Sequence, residues 1–391
     1  MVRAMEAAGE GNNSGRERKR RRRVRTGSYI RRMSCFRPSG SFRNHTAAGI
    51  GEELGRIPTH LVVTVNGIIG SPDNWRFAAK QLVKRYPEDI LVHCSECNYG
   101  TLTFDGVDVM GDRLAKEVKS VVERNQGLLK ISFLCHSLGG LIARYAIGRL
   151  YESSLLKDCS DDIQQSRDCS EHEPKGMIAG LEPVNFITFA TPHLGSRFHK
   201  QIPIFRGSQA LEKMAYRISG IVGRTGKHLF LKDHDEGKPP LLLRMLSDNE
   251  DLKFMSALQS FKRRVAYANV CYDVVVGWKT SSIRRQHELP KKQDFVRNEN
   301  YPHVVLVEKP RINDVKRGQF LEAIVHAPKS VAEMEELMVD GLNRVTWERV
   351  DISFRNSKQR IFAHTAIQVQ SKFLNSDGAD VVFHMIDNFL L

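Results

Sequence analysis

Short, continuous apolar runs alternate along this chain with longer stretches in which apolar residues recur every three or four positions. His60-Leu61-Val62-Val63-Thr64-Val65 is the first run, rich in β-branched residues and closed by Asn66-Gly67-Ile68-Ile69-Gly70-Ser71. It reads as a strand. An amphipathic helix is predicted over Trp75 to Tyr86, then a strand over Ile90 to His93. Asp112 to Asn125 follows as a helix with Leu114, Val118, Val121 and Val122 inward. Ile131 to Leu134 is a third strand, and a helix patterned on Leu141, Ile142 and Tyr145 runs to about Tyr151. Strands that alternate with helices predict a parallel sheet, and continuous apolar strands predict burial on both faces.

The rhythm breaks at 152–182, a polar, turn-rich stretch that reads as a surface insertion, and resumes with a strand over Val184 to Phe189. Residues 202–261 are helical in pattern, which suits either a cap over an active site or plain packing helices. Val265 to Val270, His303 to Val307 and Thr346 to Phe354 read as further strands. Ala332 to Leu342 reads as an acidic helix, and Ala379 to Leu390 as a terminal one.

Charge divides the chain. Its net charge is +14, but residues 1–50 hold 13 Lys/Arg against 3 Asp/Glu, which leaves the remainder near +4. The body is therefore not expected to bind nucleic acid. Residues 1–56, with the basic run Arg16 to Arg25, read as a disordered Arg-rich tail ahead of one domain over 57–391. Nuclear import, an anionic-membrane tether, an organelle (plastid) transit peptide and a solvated tail without a role all fit that run. Seven cysteines, an odd number with several inside predicted strands, suit reduced thiols and a cytoplasmic protein. Cys94-x-x-Cys97 lacks a second pair, so neither a metal nor a redox site is expected there. No run of 18 apolar residues suggests a membrane span, and no apolar signal core follows Met1.

The candidate chemistry lies where the third strand meets its helix, at Cys135-His136-Ser137-Leu138-Gly139-Gly140. Strand, serine in a sharp turn, then helix is the context of the G-x-S-x-G nucleophile elbow, with Cys135 where the strict pattern has glycine. An activated serine needs a base, a carboxylate to orient it, and amide donors for the oxyanion. In hydrolases with this elbow the chain order is serine, carboxylate, histidine. Asp273 lies just past a strand. Among the downstream histidines His287, His303, His326, His364 and His384, only His364 stands between a late strand and a helix start. The oxyanion donors are expected from the backbone N–H of Leu138 and from the loop at Gly67 and Ile68. His136 is expected to point away from Ser137, and His193 to pack or hydrogen-bond beside the site.

Several of these segments together resemble the serine esterase family of lipase-like α/β-hydrolases found in fungi and plants, the plant branch most of all. The segments are Val65 to Ser71, His136 to Arg144, Phe189 to Gly195, Asp273 to Trp278 and Ala363-His364-Thr365, and the resemblance spans about His60 to Leu391. It implies an α/β-hydrolase fold with a mostly parallel sheet and helices on both faces. It also implies Ser137 as nucleophile, Asp273 as orienter and His364 as base, with no metal and no cofactor. The implied substrates are carboxylic esters of lipids; a small ester is the other substrate expected, and the basic run Arg16 to Arg25 suits peripheral contact with a membrane or lipid-droplet surface. Two departures from the family stand out: Asn66 precedes Gly67 where many members carry histidine, and Cys135 replaces Gly or Ala. They leave open a catalytically weak or inactive relative that binds a lipid or partner. A thioesterase, a peptidase and the oligomeric state also stay open.

Overall fold

The computed structural model describes Cys35–Phe36 and residues 57–153, 176–196, 223–233, 238–310 and 330–391. All belong to one compact unit, Ser34–Leu391. Its centre is an eight-stranded sheet. In chain order the strands are β1 (Cys35–Phe36), β2 (His60–Val65), β3 (Ile90–Cys94), β4 (Lys130–His136), β7 (Glu182–Phe189), β8 (Arg263–Asn269), β9 (Val304–Glu308) and β10 (Glu348–Ile352). In space the order is β1-β3-β2-β4-β7-β8-β10-β9. The six inner strands are parallel, and the edge strands β1 and β9 pair antiparallel with β3 and β10.

The central strands β2, β3, β4 and β7 are buried along nearly their whole length, because both of their side-chain rows are mostly apolar. On β2, Leu61, Val63 and Val65 join a cluster with Met110, Leu114 and Val118 of the helix Val107–Arg124, and with Leu141 and Ile147 of the helix Gly139–Leu150. Val62 faces the other way, toward Ala78 and Leu82 of α1 (Arg76–Arg85) and Val381 and Met385 of the terminal helix Ala379–Asp387. Successive strand residues point to opposite faces, so a sheet covered by helices on both sides requires this unbroken apolar run.

The helices Val107–Arg124 and Gly139–Leu150 are α2 and α3. α2 begins five residues before the expected Asp112. Gly106, at φ +103°, turns the chain into it, and Val107, Met110 and Gly111 extend its buried stripe. Gly111 sits inside the helix because the Tyr145 ring of α3 occupies the space a Cβ would need.

The insertion expected at 152–182 is bracketed by a small antiparallel ribbon, β5 (Tyr151–Glu152) with β6 (Met177–Ile178); its middle, 154–175, lies outside the described residues. Of the stretch at 202–261, residues 202–222 lie outside them too. The described remainder contributes short helices Gly223–Leu229, Leu241–Arg244 and Phe254–Ser260. Leu242, Leu243, Phe254 and Leu258 of this part belong to the same apolar cluster as α3. The tail's basic run also lies outside the described residues. Cys35–Phe36 departs from the expectation of an unstructured stretch to residue 56: it pairs with Val92 and His93 and so covers the open edge of β3.

β2 connects to β3 on one side, and the chain then crosses to β4 on the other. Adjacent strands whose connections leave in opposite directions open a crevice beyond their C-terminal ends, where α/β sheets bind ligands.

Candidate active site

Ser137 stands at that crevice, between β4 and α3. Its φ is +53°, a left-handed conformation unfavourable for any residue with a Cβ. The neighbouring strand ends repeat the feature: Ile69 after β2, Ala190 after β7 and Tyr272 after β8 have φ of 55°, 47° and 63°. Backbone strain of this kind persists where surrounding structure imposes it. Glycines make the elbow's close approaches feasible. A Cβ on Gly139 would collide with the Val65 carbonyl, one on Gly140 with the Thr191 side chain, and one on Gly67 would stand 2.8 Å from the Ser137 Cβ. Cys135, in the position that the strict pattern gives to glycine, is fully buried in β4 and paired with Val65 and Thr188. Burial pushes its thiol well above the ordinary value, so it is an inert packing group.

Three separate chain segments meet at the serine. Ser137 Oγ lies 3.0 Å from His364 Nε2, and His364 Nδ1 lies 3.0 Å from Asp273 Oδ2. A carboxylate only accepts, so Nδ1 carries the proton and Nε2 accepts from the serine hydroxyl. Asp273 is held from all sides. Its Oδ1 accepts from the N–H groups of Val275 and Val276 at 3.0 and 2.8 Å, and its Oδ2 from Asn269 Nδ2 at 2.9 Å. Burial would raise its pKa, but His364 beside it, and the hydrogen bonds from His364, Val276 and Asn269, hold the carboxyl below its ordinary value. Asn269 also donates to the Ala363 carbonyl, which ties the acid's loop to the histidine's helix, Ala363–Ala366.

His136 does not reach Ser137 Oγ. Its Nε2–H donates to the His364 backbone carbonyl at 2.7 Å, and the two rings lie 4.7 Å apart. Burial, with His364 adding to it, lowers its pKa to about 3, so it stays neutral and acts as a pin on the histidine backbone. His193 is fully buried, bonded through Nε2 to Thr188 Oγ1 at 3.0 Å and set edge-on to Trp347. His303 pairs with Asp380, and His384 bonds the Tyr267 hydroxyl; His326 lies outside the described residues.

The backbone N–H groups of Ile68 and Leu138 have no hydrogen-bond partner among the described residues. The loop carrying Ile68 is braced below. Asn66 Nδ2 donates to the carbonyls of Gly67 and Asn98, at 3.1 and 2.9 Å, and Ile69 N–H donates to Thr103 Oγ1. Asn66 is thus a loop brace. Sequence reasoning missed three supports: the Asn269 amide, the His136 pin and the Thr103 hydroxyl. Only Asn269 carries a signal, as a polar residue closing an apolar strand next to the predicted acid. Cys94 is buried in β3, and Cys97 lies within hydrogen-bonding distance of Ser95 and Asn98.

Residues 56–283 match the family described as "Putative serine esterase (DUF676)". That span is more than half of the chain. The protein belongs to this serine esterase family. The match contains Ser137 and Asp273, and His364 lies beyond it. Among curated proteins, the chain is similar to "Putative lipase ROG1" of Saccharomyces cerevisiae, with 31% identity over 57% of this chain and 28% of that protein. It is also similar to "Putative lipase C4A8.10" of Schizosaccharomyces pombe, with 26% identity over 59% of this chain and 28% of that protein. The chain thus spans less than a third of the length of these two relatives. Solved structures with partial likeness include the mature Bacillus licheniformis lipase BlEst2, at 14% identity over 57% of this chain and 69% of that one, TM-score 0.31. Another is an extracellular α/β-hydrolase from a Paenibacillus species, at 15% identity over 56% of this chain and 81% of that one, TM-score 0.29. Likenesses this partial carry no weight for the fold. The α/β-hydrolase fold of this chain rests on its own mostly parallel sheet, the helices on both faces and the serine elbow.

Proposed function

We propose that this serine esterase hydrolyses carboxylic esters, those of lipids above all, through an acyl intermediate on Ser137. The observation that carries this reading is the unbroken hydrogen-bond chain from Ser137 Oγ through His364 to Asp273. In the forward step His364 Nε2 takes the hydroxyl proton as Oγ attacks the ester carbonyl, and then returns it to the leaving alcohol. Water repeats the sequence against the acyl-serine and releases a carboxylic acid. Asp273 holds the imidazole in the accepting tautomer and stabilises the imidazolium formed on the way. The unpaired amides of Ile68 and Leu138 are the donors offered to the oxyanion, and donors aimed at developing charge rank among the largest single contributions to acyl transfer.

Fluorophosphonate labelling of the full chain tests the reading. A stable phosphonyl adduct should form on Ser137 and be absent from Ser137→Ala. Turnover of a short p-nitrophenyl ester should fall by about 10⁴- to 10⁶-fold in Ser137→Ala and in His364→Ala. A wild-type chain that melts cooperatively yet takes no label would leave a hydrolase-fold binding protein instead.

A further inference from the structure

Beyond the acid residue, on the outer part of the sheet, lies a cleft of about 920 Å³. It falls within the size range of sites that hold one small molecule. Its wall includes Asp273, Tyr272 and Val274 from the acid's loop, but neither Ser137 nor His364. It is therefore separate from the space in front of the nucleophile.

The lining is apolar on one side and cationic on another. Trp278, Leu289, Pro290 and Phe295 supply the apolar wall. Trp278 is fixed there: its indole N–H donates at 2.6 Å to Asp351, which is fully buried and also bonded to Arg284. With its polar atom satisfied behind it, the indole is free to present its ring. Three cations line the cleft, Lys279, Lys292 and Arg355. Lys279 is paired with Glu335. Lys292 and Arg355 are exposed and make no ion pair among the described residues. The one carboxylate in the lining, Asp273, is already engaged by His364, Asn269 and two amides. Both unpaired cations act on the thiol of Cys271, a half-buried residue of the same wall: burial pushes the thiol up, and Arg355 and Lys292 oppose that shift. An apolar trough with two uncompensated positive charges matches one ligand chemistry in both parts.

We propose that this cleft binds a single-chain amphiphile with an anionic head, its chain along Trp278, Leu289 and Phe295 and its head against Lys292 and Arg355. Two sources offer that chemistry: a long-chain carboxylate, which is the product class of ester hydrolysis, and a single-chain lipid phosphate. Binding does not depend on turnover, so the proposal stands or falls apart from the catalytic reading.

Cys271 provides the readout. The full chain carrying Ser137→Ala is treated with N-ethylmaleimide, and alkylation is followed on the Cys271 peptide, with the Cys94 and Cys97 peptides as internal references. Dodecanoate, dodecyl phosphate and dodecanol are compared below their aggregation concentrations. At ten times its dissociation constant an anionic ligand should slow Cys271 alkylation about tenfold and leave the reference peptides unchanged. Protection by dodecanoate identifies the carboxylate source, and protection by dodecyl phosphate the phosphate source. Lys292→Glu with Arg355→Glu should raise the half-protecting concentration about tenfold or more. Lys292→Arg with Arg355→Lys keeps both charges and should retain protection, which separates loss of charge from loss of fold. Equal protection by dodecanol, protection by none of the three, or a charge-reversed variant of unchanged melting temperature that is still protected as well as its parent would overturn the proposal.

Discussion

Asp273 and His136 illustrate two ways in which a neighbour controls His364. Asp273 acts on the ring, by holding the proton on Nδ1 so that Nε2 can accept. Asp273→Asn can donate to Nδ1 and so favours the wrong tautomer. Turnover is expected to drop about 10⁴-fold with little change in melting temperature, measured on a soluble ester. His136 acts on the backbone, through its bond to the His364 carbonyl. His136→Ala frees that carbonyl, and a misplaced base costs about ten- to a hundredfold in turnover. His136 also carries a pH signature. Its folded pKa of about 3 lies below the ordinary 6.5. Between those values the unfolded chain binds a proton that the folded chain refuses, so stability falls as pH drops through that window. His136→Gln keeps an N–H donor without the titration. The loss of melting temperature between pH 7 and pH 5 should be smaller in this variant than in the wild type. A loss at least as large as that of the wild type would count against burial as the cause.

Among the elements, the decisive contact is α3 against β2. The helix starts directly after the nucleophile, and Gly139 lets its first turn rest on the Val65 carbonyl. A methyl group at 139 cannot be absorbed by a rotamer change, because the obstacle is backbone. Gly139→Ala should cost about 1–3 kcal/mol in urea unfolding, and it should also lower fluorophosphonate reactivity, since Ser137 moves with the helix start. Most of these elements were readable in advance, because apolar runs of strand length and stripes of helical spacing report burial directly. The start of α2 was not. Gly106 and Gly111 look like helix breakers in one dimension, and only the Tyr145 ring packed against position 111 explains why glycine stands inside the helix.

On the scale of the whole molecule, the charge lies mainly in a part of the chain that the described residues do not include. Arg16 to Arg25 holds eight basic residues and one acidic residue. We propose that this run holds the protein on anionic lipid, since each basic residue near such a surface contributes roughly 1 kcal/mol, screened by salt. Among the described residues no helix is long and apolar enough to cross a membrane. Full-length protein should co-sediment with phosphatidylserine vesicles at low salt and be released as salt is raised. A chain with the arginines of 16–25 replaced by glutamine should bind far less, while its turnover of a soluble ester stays the same. Equal binding of the two chains would remove the tether.

The order of elements, the mostly parallel sheet and the serine elbow are local matters: each depends on the spacing of apolar residues or on a turn a few residues long, and both are written in one dimension. Chain order and position beside a strand or helix start also singled out Asp273 and His364. The distances among Ser137, Asp273 and His364 are not local. They join residues 91 and 227 positions apart in the chain, and only the stacking of β4, β8 and β10 in one sheet sets them. The same holds for the Asn269–Ala363 and His136–His364 bonds that steady the site, and for the cleft behind Asp273. Its walls come from three segments with no shared pattern, and a cavity is a property of how segments pack.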